Sequence, residues 1–358
     1  MASTTNSLTI AVDVNPATRA MVTGTESYTR EVSSRLRAAA PDLRWRFFAA
    51  RAKADLGIDV MVLPFPRLWS QVRLPLHLAS EHPQLLFVPG HVIPFTWPGK
   101  VLTVVHDLAF ERYPEAYGVA ERTYLQLTTR WAVTRCPLLI ADSESTREDL
   151  VDLYGVQPER VRVIYLGINP PEVAPAPADR LSELGLNGSF VLQVGRIEKR
   201  KNQAAALAAV EKLEGVTLVV AGSDRDPALS QELRRSTRCR VLGRVDQPTL
   251  ELLYERAAAV IVPSLYEGFG LPVLEAMARG KVVVAAMNSS LPEVGGNAAL
   301  YFHPSVTPDQ LAGILDVAVR DEPLREELVR LAQARAAMFT WDKTSAAVAA
   351  VIRELLFS

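Results

Sequence analysis

AVIVPSLYEGFGLPVLEAMARGKVVVAA, residues 259–286, reads as strand, glycine turn, helix and strand in direct succession. AVIVP is a short, mostly β-branched run closed by Pro263, and KVVVAA is a second such run. Between them, LPVLEAMARG puts Pro272 near the first position of a helix and Gly280 just past its end, where each residue is favoured. Two apolar strands joined through a helix make a parallel pair, and repetition of the unit predicts an open parallel sheet with helices on both faces.

The unit does repeat. Upstream lie strand SFVLQVG (189–195), helix NQAAALAAVEKL (202–213), strand VTLVVAG (216–222), helix DPALSQELRRS (226–236), strand RVLG (240–243) and helix QPTLELLYERA (247–257). The first half alternates likewise. LTIAVDV (8–14) is followed, after Gly24, by TESYTREVSSRLRAAA, with Tyr28, Val32 and Leu36 at the spacing of a half-buried helix. WRFFAA, QLLFVPG, VLTVVHD and LLIADS are further short strands, with helical AERTYLQLTTRWAVTRC before the last. Between the halves, PEVAPAPADR carries Pro171, Pro175 and Pro177, a density that resists helix and strand alike.

The reading is therefore an α/β chain of two doubly wound, Rossmann-like domains facing across a cleft. The N-terminal domain is expected over 1–168, the linker over 169–178 and the C-terminal domain over 179–340. WDKTSAAVAAVIRELL, within 341–358, is a last helix expected to return to the first domain. The length of 358 residues suits two cores.

Composition removes several function classes. A net charge of −1 gives no basic field for nucleic acid. Cys136 and Cys239 are the only cysteines and form no CxxC, so neither a disulfide framework nor a thiolate zinc site is expected. His77, His82, His91 and His303 make no metal-ligand spacing. The start, MASTTNSLTIAVDV, lacks the pattern of a signal peptide, and no run is apolar enough to span a bilayer. A cytoplasmic location is expected, with any membrane contact peripheral, at the inner face. The excess of cations between Arg19 and Lys53 could serve such contact or form a solvated face, and Trp69 could be an acceptor or interface contact or core.

The chemistry concentrates in the opening stretch. Gly268 and Gly270 place bare backbone at a helix N-terminus, where free N–H groups and the helix dipole attract phosphate. Glu267 precedes the turn and Glu275 stands one helical turn beyond it. A carboxylate can accept two hydroxyls, so this spacing suits a sugar on one side of a phosphate group and a ribose on the other. In the same half, strand SFVLQV ends at Gly195 and leads into Arg196, Lys199, Arg200 and Lys201, cations suited to a departing diphosphate. Arg196 and Lys201 are the selected pair. Asn202 is read as the cap of the following helix. Asp224 and Asp226 match a metal-binding DxD, but ahead of Pro227 helix capping is the favoured role.

With these motifs in view, the sequence resembles the retaining glycosyltransferases of family 4, which have the GT-B fold. EGFGLPVLEA is similar to the family's E-x7-E signature and VGRIEKRKN to its diphosphate loop. The likeness extends over GTESYTRE, VVHDLAFERYPE, ADSESTREDL, VIYLGI, VVAGSD, VLGRV, SSLPEVGGNAALYFHP and FTWDKT, with wording similar to the mannosyltransferase-like branch of polysaccharide biosynthesis. The resemblance implies a nucleoside-diphosphate sugar as donor, GDP-mannose first and a UDP- or dTDP-sugar next. It also implies a glycan, lipid-linked or small-molecule acceptor met by the first domain.

By position, it assigns Glu275 to the ribose and Gly195, Arg196 and Lys201 to the diphosphate. Glu267 and the backbone of Gly268, Phe269, Gly270 and Leu271 fall to the donor sugar and phosphate. Gly243, Arg244 and Val245 fall to the base, Gly24 to a loop near the diphosphate, and His106 to the transferred sugar. Thr23 stands where the family often has a second glycine. No metal or other cofactor is expected, because Arg196 and Lys201 supply positive charge. A sugar-nucleotide epimerase, a phosphorylase and a non-catalytic nucleotide-sugar-binding subunit remain as alternatives on the same fold. A nicotinamide dehydrogenase is disfavoured because no G-x-G-x-x-G follows a strand.

Overall fold

The computed structural model describes residues 8–19, 24–52, 56–65, 67–171 and 173–357. Thr23 and Lys53 lie outside the described residues. The chain divides into two compact units, Met1–Gly167 with Thr340–Ser358, and Ile168–Phe339.

The first unit runs β1 (Thr9–Asp13), α1 (Gly24–Ala39), β2 (Arg44–Ala49), β3 (Val60–Val62), α2 (Leu74–Glu81), β4 (Leu85–Val88), β5 (Val101–Val105), α3 (Ala109–Arg112), α4 (Val119–Arg135), β6 (Leu139–Ala141), α5 (Glu144–Tyr154) and β7 (Val161–Val163). All pairings are parallel, in the order β3-β2-β1-β4-β5-β6-β7. Tyr28, Val32 and Leu36 are fully buried, as their spacing predicts. Leu74 and Leu78 of α2, Ala132 of α4 and Leu150 of α5 share one core with Leu86, Val88 and Val105 of the sheet, so these three helices cover one face. The β4–β5 connection, residues 89–100, crosses on that side without a helix. Trp69 belongs to this core: it is 5% exposed and its indole N–H donates to the Leu63 carbonyl at 2.7 Å. The interface alternative for Trp69 is thereby removed.

The second unit runs α6 (Asp179–Glu183), β8 (Ser189–Val194), α7 (Gln203–Val210), β9 (Val216–Ala221), α8 (Pro227–Arg235), β10 (Cys239–Gly243), α9 (Gln247–Arg256), β11 (Ala259–Val262), α10 (Leu271–Ala278), β12 (Val283–Ala286), α11 (Leu291–Gly295), β13 (Leu300–Phe302), α12 (Pro308–Arg320) and α13 (Glu322–Ala336). Its parallel sheet has the order β10-β9-β8-β11-β12-β13. The strand order reverses between β8 and β11, and in open α/β sheets the crevice beyond such a reversal is where ligands bind. The two motifs singled out in the sequence follow these two strands.

α14 (Trp341–Phe357) closes the first unit by packing on α1. Trp341 stacks edge-on against Tyr28 with 6.0 Å between ring centres, and Arg162 pairs with Glu354 at 2.5 Å. A Cβ on Gly167 would fall 2.2 Å from the Trp341 amide nitrogen, so only glycine admits the helix here. No helix among the described residues is long and apolar enough to cross a membrane.

Candidate functional site

β8 and β11 are hydrogen-bonded neighbours, so the loops leaving their carboxyl ends meet. The Leu265 amide donates to the Arg200 carbonyl at 2.8 Å, and the Arg200 guanidinium donates to the Tyr266 carbonyl at 2.6 Å. This clamp sets Lys201 against Glu267, with Nζ 2.5 Å from Oε1. Ser264 Oγ donates to the same oxygen at 2.7 Å, and Arg200 lies 3.6 Å from Oε2. Burial would raise the Glu267 carboxyl, but the Lys201 and Arg200 charges and the two hydrogen bonds outweigh it and hold it below its ordinary range. Glu267 is therefore a buried, ionised carboxylate.

The EGFG turn is pinned from a third strand. The Glu267 amide donates to Ser289 Oγ at 3.0 Å, and Ser290 Oγ donates to the Glu267 carbonyl at 2.9 Å. Gly270 adopts φ +103° at the N-cap of α10, and Pro272 follows within the first turn. The amides of Gly270 and Leu271 have no hydrogen-bond partner among the described residues, which leaves the positive end of the helix open to an anion.

Glu275 sits one turn into α10 in a different setting. Tyr254 O–H donates to Oε2 at 3.0 Å, and Arg279 donates to the Glu275 carbonyl at 2.9 Å. Arg279 is itself held by a two-point pair with Glu251, at 2.7 and 2.6 Å, and lies over the Tyr254 ring at 4.7 Å. Burial raises the Glu275 carboxyl against the opposing pull of Arg279 and Tyr254. The two glutamates are thus pushed in opposite directions on either side of one helix N-terminus.

The other residues singled out in the second unit lie at the carboxyl ends of β8, β9 and β10. Gly195 has φ +143°, and its carbonyl lies 1.8 Å from where a Cβ on Gly222 would stand. Gly222 in turn donates to the Gly243 carbonyl at 2.8 Å, so β8, β9 and β10 end in one tight backbone layer. Arg196 is exposed, and its carbonyl accepts from Gln203 Nε2 at 2.8 Å. Arg244 is exposed and Val245 half-buried beyond β10. Asn202 adopts a left-handed conformation and makes no side-chain cap, contrary to the capping expectation, whereas Asp226 does cap α8 by accepting from the Leu229 amide at 3.1 Å. No group of three or more His, Cys, Asp or Glu placed to hold a metal occurs among the described residues.

In the first unit, His106 follows β5. Its Nδ1 is 2.6 Å from Asp142 Oδ2 and its Nε2–H donates to the Pro89 carbonyl at 2.9 Å. Burial disfavours the charged ring, but Asp142 and the carbonyl outweigh it and raise the ring's proton affinity. Both ring nitrogens are therefore engaged within the unit. Gly24 is the exposed first residue of α1. Sequence reasoning missed Arg200 as the clamp, together with Ser264, Ser289, Tyr254 and Gly222. Only the β8–β11 and β11–β12 neighbourhoods reveal the first three.

The comparisons with known proteins agree on family and fold. A model for glycosyl transferases group 1 matches residues 181–335, and one for glycosyltransferase family 4 matches residues 22–172. O-antigen chain mannosyltransferase B of Escherichia coli is 30% identical over 258 residues, covering 68% of this chain and 67% of that protein. The chain belongs to the family 4 glycosyltransferases. This glycosyltransferase is also 32% identical, over 61% of its length, to D-inositol 3-phosphate glycosyltransferase of Mycobacterium avium, of which the match spans 55%. Among solved structures, Anabaena HepE in complex with UDP and glucose superposes with a TM-score of 0.75 at 21% identity, covering 97% of the glycosyltransferase and 100% of that chain. Sucrose-phosphate synthase of Thermosynechococcus elongatus gives 0.77 at 22%, covering 97% and 99%. These likenesses establish the GT-B fold of two Rossmann-like units.

Proposed function

We propose that the enzyme transfers a hexose, mannose in the first instance, from a nucleoside-diphosphate sugar to a hydroxyl of a glycan, lipid-linked or small-molecule acceptor, with retention at the anomeric carbon. The observation that carries this reading is the pair of glutamates held in opposite electrostatic settings across the open N-terminus of α10, at the β8–β11 reversal. The mannosyltransferase relative supports mannose and hence GDP-mannose, and the UDP complex of HepE supports a nucleotide-sugar donor and keeps UDP-sugars next. A dTDP-sugar ranks with the latter. A cytoplasmic location, with contact at the inner membrane face, belongs to the same reading.

Rupture of the sugar–phosphate bond leaves negative charge on the diphosphate and builds positive charge on the sugar. In the proposal, Arg196, Lys201 and the α10 amides stabilise the first, and no metal is required. Glu275 holds the ribose hydroxyls, with Gly243, Arg244 and Val245 at the base. Glu267 has one oxygen occupied by Lys201 and Ser264 and the other facing Arg200, which favours an electrostatic and positioning role over that of a covalent nucleophile. Gly24 and His106 are carried over from the family for the diphosphate and the transferred sugar. Asp142 raises the proton affinity of the His106 ring and fixes its orientation at the end of β5.

The test is calorimetric titration with GDP, UDP, ADP and dTDP in EDTA, with Glu275→Ala as control. One diphosphate binding tightly and lost in the variant is the expected result. Binding that needs a divalent ion, or that survives the substitution, overturns the site as drawn. Product analysis with the matching sugar nucleotide then separates transfer from epimerisation or phosphorolysis.

A further inference from the structure

α2 carries more apolar surface than the fold uses. Leu74 and Leu78 face the core with no exposure, yet Leu76 and Ala79 line a cleft on the opposite side, with Val72 of the turn before the helix, and Leu76 is 67% exposed. A helix apolar on both sides either lies wholly inside a protein or meets a second apolar partner. Along this outer side runs a cleft of about 720 Å³, closed on its far wall by Thr96, Trp97 and Pro98. It lies beside the β4–β5 connection that crosses without a helix. Its volume is that of a small-molecule site.

The wall offers mainly hydrocarbon contacts, with His82 and Thr96 as its polar members beside Gln71. Gln71, at one end, spends its amide inside the protein: Nε2 donates to the Ile93 carbonyl at 3.2 Å and Oε1 accepts from the Phe95 amide at 3.0 Å. A sugar or nucleotide there would forfeit its hydrogen bonds with water, whereas an alkyl chain would lose none. Next to Gln71, which bonds the Phe95 amide and the Leu68 carbonyl, the side chains of Leu68 and Phe95 are each more than a third exposed.

The sequence around the cleft is more basic than acidic: between Asp59 and Asp107 stand Arg67, Arg73 and Lys100 against Glu81, with Lys100 Nζ donating to the Leu355 carbonyl at 2.7 Å. Glu81 is already paired with Arg46 at 3.3 Å. Arg135 donates to the Pro98 and Gly99 carbonyls at the cleft's lip, at 2.8 Å for Gly99. An apolar cleft with an exposed leucine, a guanidinium at its lip and a basic flanking sequence complements an anionic amphiphile.

We infer that the cleft between α2 and residues 96–99 binds the hydrocarbon chain of an anionic membrane lipid. This locates and specifies the surface contact of the reading above, and it does not depend on the donor site. The test uses the full chain with vesicles of phosphatidylcholine, with and without phosphatidylglycerol, measured by sedimentation. Quenching of tryptophan fluorescence by lipid brominated in the acyl chain is the second readout. Binding is expected only to the anionic vesicles, falling with salt. Leu76→Glu should weaken it about tenfold or more, and Arg67→Gln with Arg73→Gln by a similar factor. Ala79→Phe, which fills the cleft, and Trp97→Phe should each abolish most of the quenching. These variants all lie in the first unit, so circular dichroism and the melting temperature of that unit report whether each one folds. No binding to either vesicle, binding unaltered by Leu76→Glu in a folded variant, or quenching that survives both Ala79→Phe and Trp97→Phe would overturn the inference.

Discussion

At the scale of single residues, hydrogen bonding decides what each charged group can do. Tyr254 is pushed well above its ordinary range by burial and by Glu275, so it remains a donor and fixes one oxygen of that carboxylate. Tyr254→Phe should weaken nucleoside diphosphate binding by about tenfold, the worth of one hydrogen bond to a charged acceptor. It should also erode the preference for ribo- over 2′-deoxyribonucleotides, and an intact preference would show that Glu275 is not at the ribose. Lys201→Ala leaves Glu267 buried without its nearest cation, so a loss of at least about 100-fold in turnover is expected, together with lower thermal stability. A variant with near-normal rate would exclude Lys201 from the reaction. Asp13, at the end of β1, is raised by burial from 3.8 to about 7, against the Asn15 amide and Arg19. The native state keeps a proton there that the unfolded chain releases near pH 4, so Asp13 erodes stability as pH rises through that window. Asp13→Asn should therefore melt higher than the parent at pH 8 and alike at pH 4; a gap equal at both values would refute the assignment.

At the scale of elements, the sequence was legible wherever information is local. The βαβ unit at 259–286, the α10 ends and the buried stripe Tyr28, Val32, Leu36 follow from spacing, and the structure holds them as read. The placement of Lys201 on Glu267 was not legible, because it depends on β8 and β11 being neighbours, 66 positions apart in the bonded side chains. Asn202 misled because its left-handed backbone turns the side chain from the helix it precedes. Trp69 sits in a basic, proline-rich run, yet it is core, and the exposed apolar groups are its neighbours Leu68 and Val72. Gly222 looked like an ordinary strand end but is the place where β9 passes the Gly195 carbonyl. Gly222→Ala should cost about 1–3 kcal/mol through the forced backbone shift and lower diphosphate affinity with it. Unchanged melting and binding would mean the layer is softer than its spacing implies.

At the scale of the whole molecule, the two units differ in how the chain makes them. Ile168–Phe339 is one continuous stretch, whereas the other unit takes its last helix from residues beyond 340. A fragment spanning 168–339 should therefore fold and bind the nucleoside diphosphate alone, as monitored by cooperative melting and calorimetry. Truncation after 339 should instead uncover the surface that Trp341, Val348 and Ile352 bury, lowering the melting of the first unit while leaving nucleotide binding in place. Equal stability of the truncated and full chains would deny α14 that role.

The same discontinuity sets an order of events during synthesis. The ribosome releases the first half of the polypeptide long before α14 exists, and α14 follows only after the whole of 168–339. Tyr28, Gly167 and the α1 flank must wait, unsheltered, through the making of more than 170 further residues. The nucleotide-binding half can complete its own folding in that interval. A nascent chain stalled before α14 would then carry a finished second unit and an unfinished first one, and it is the first unit's sticky flank which chaperones must guard.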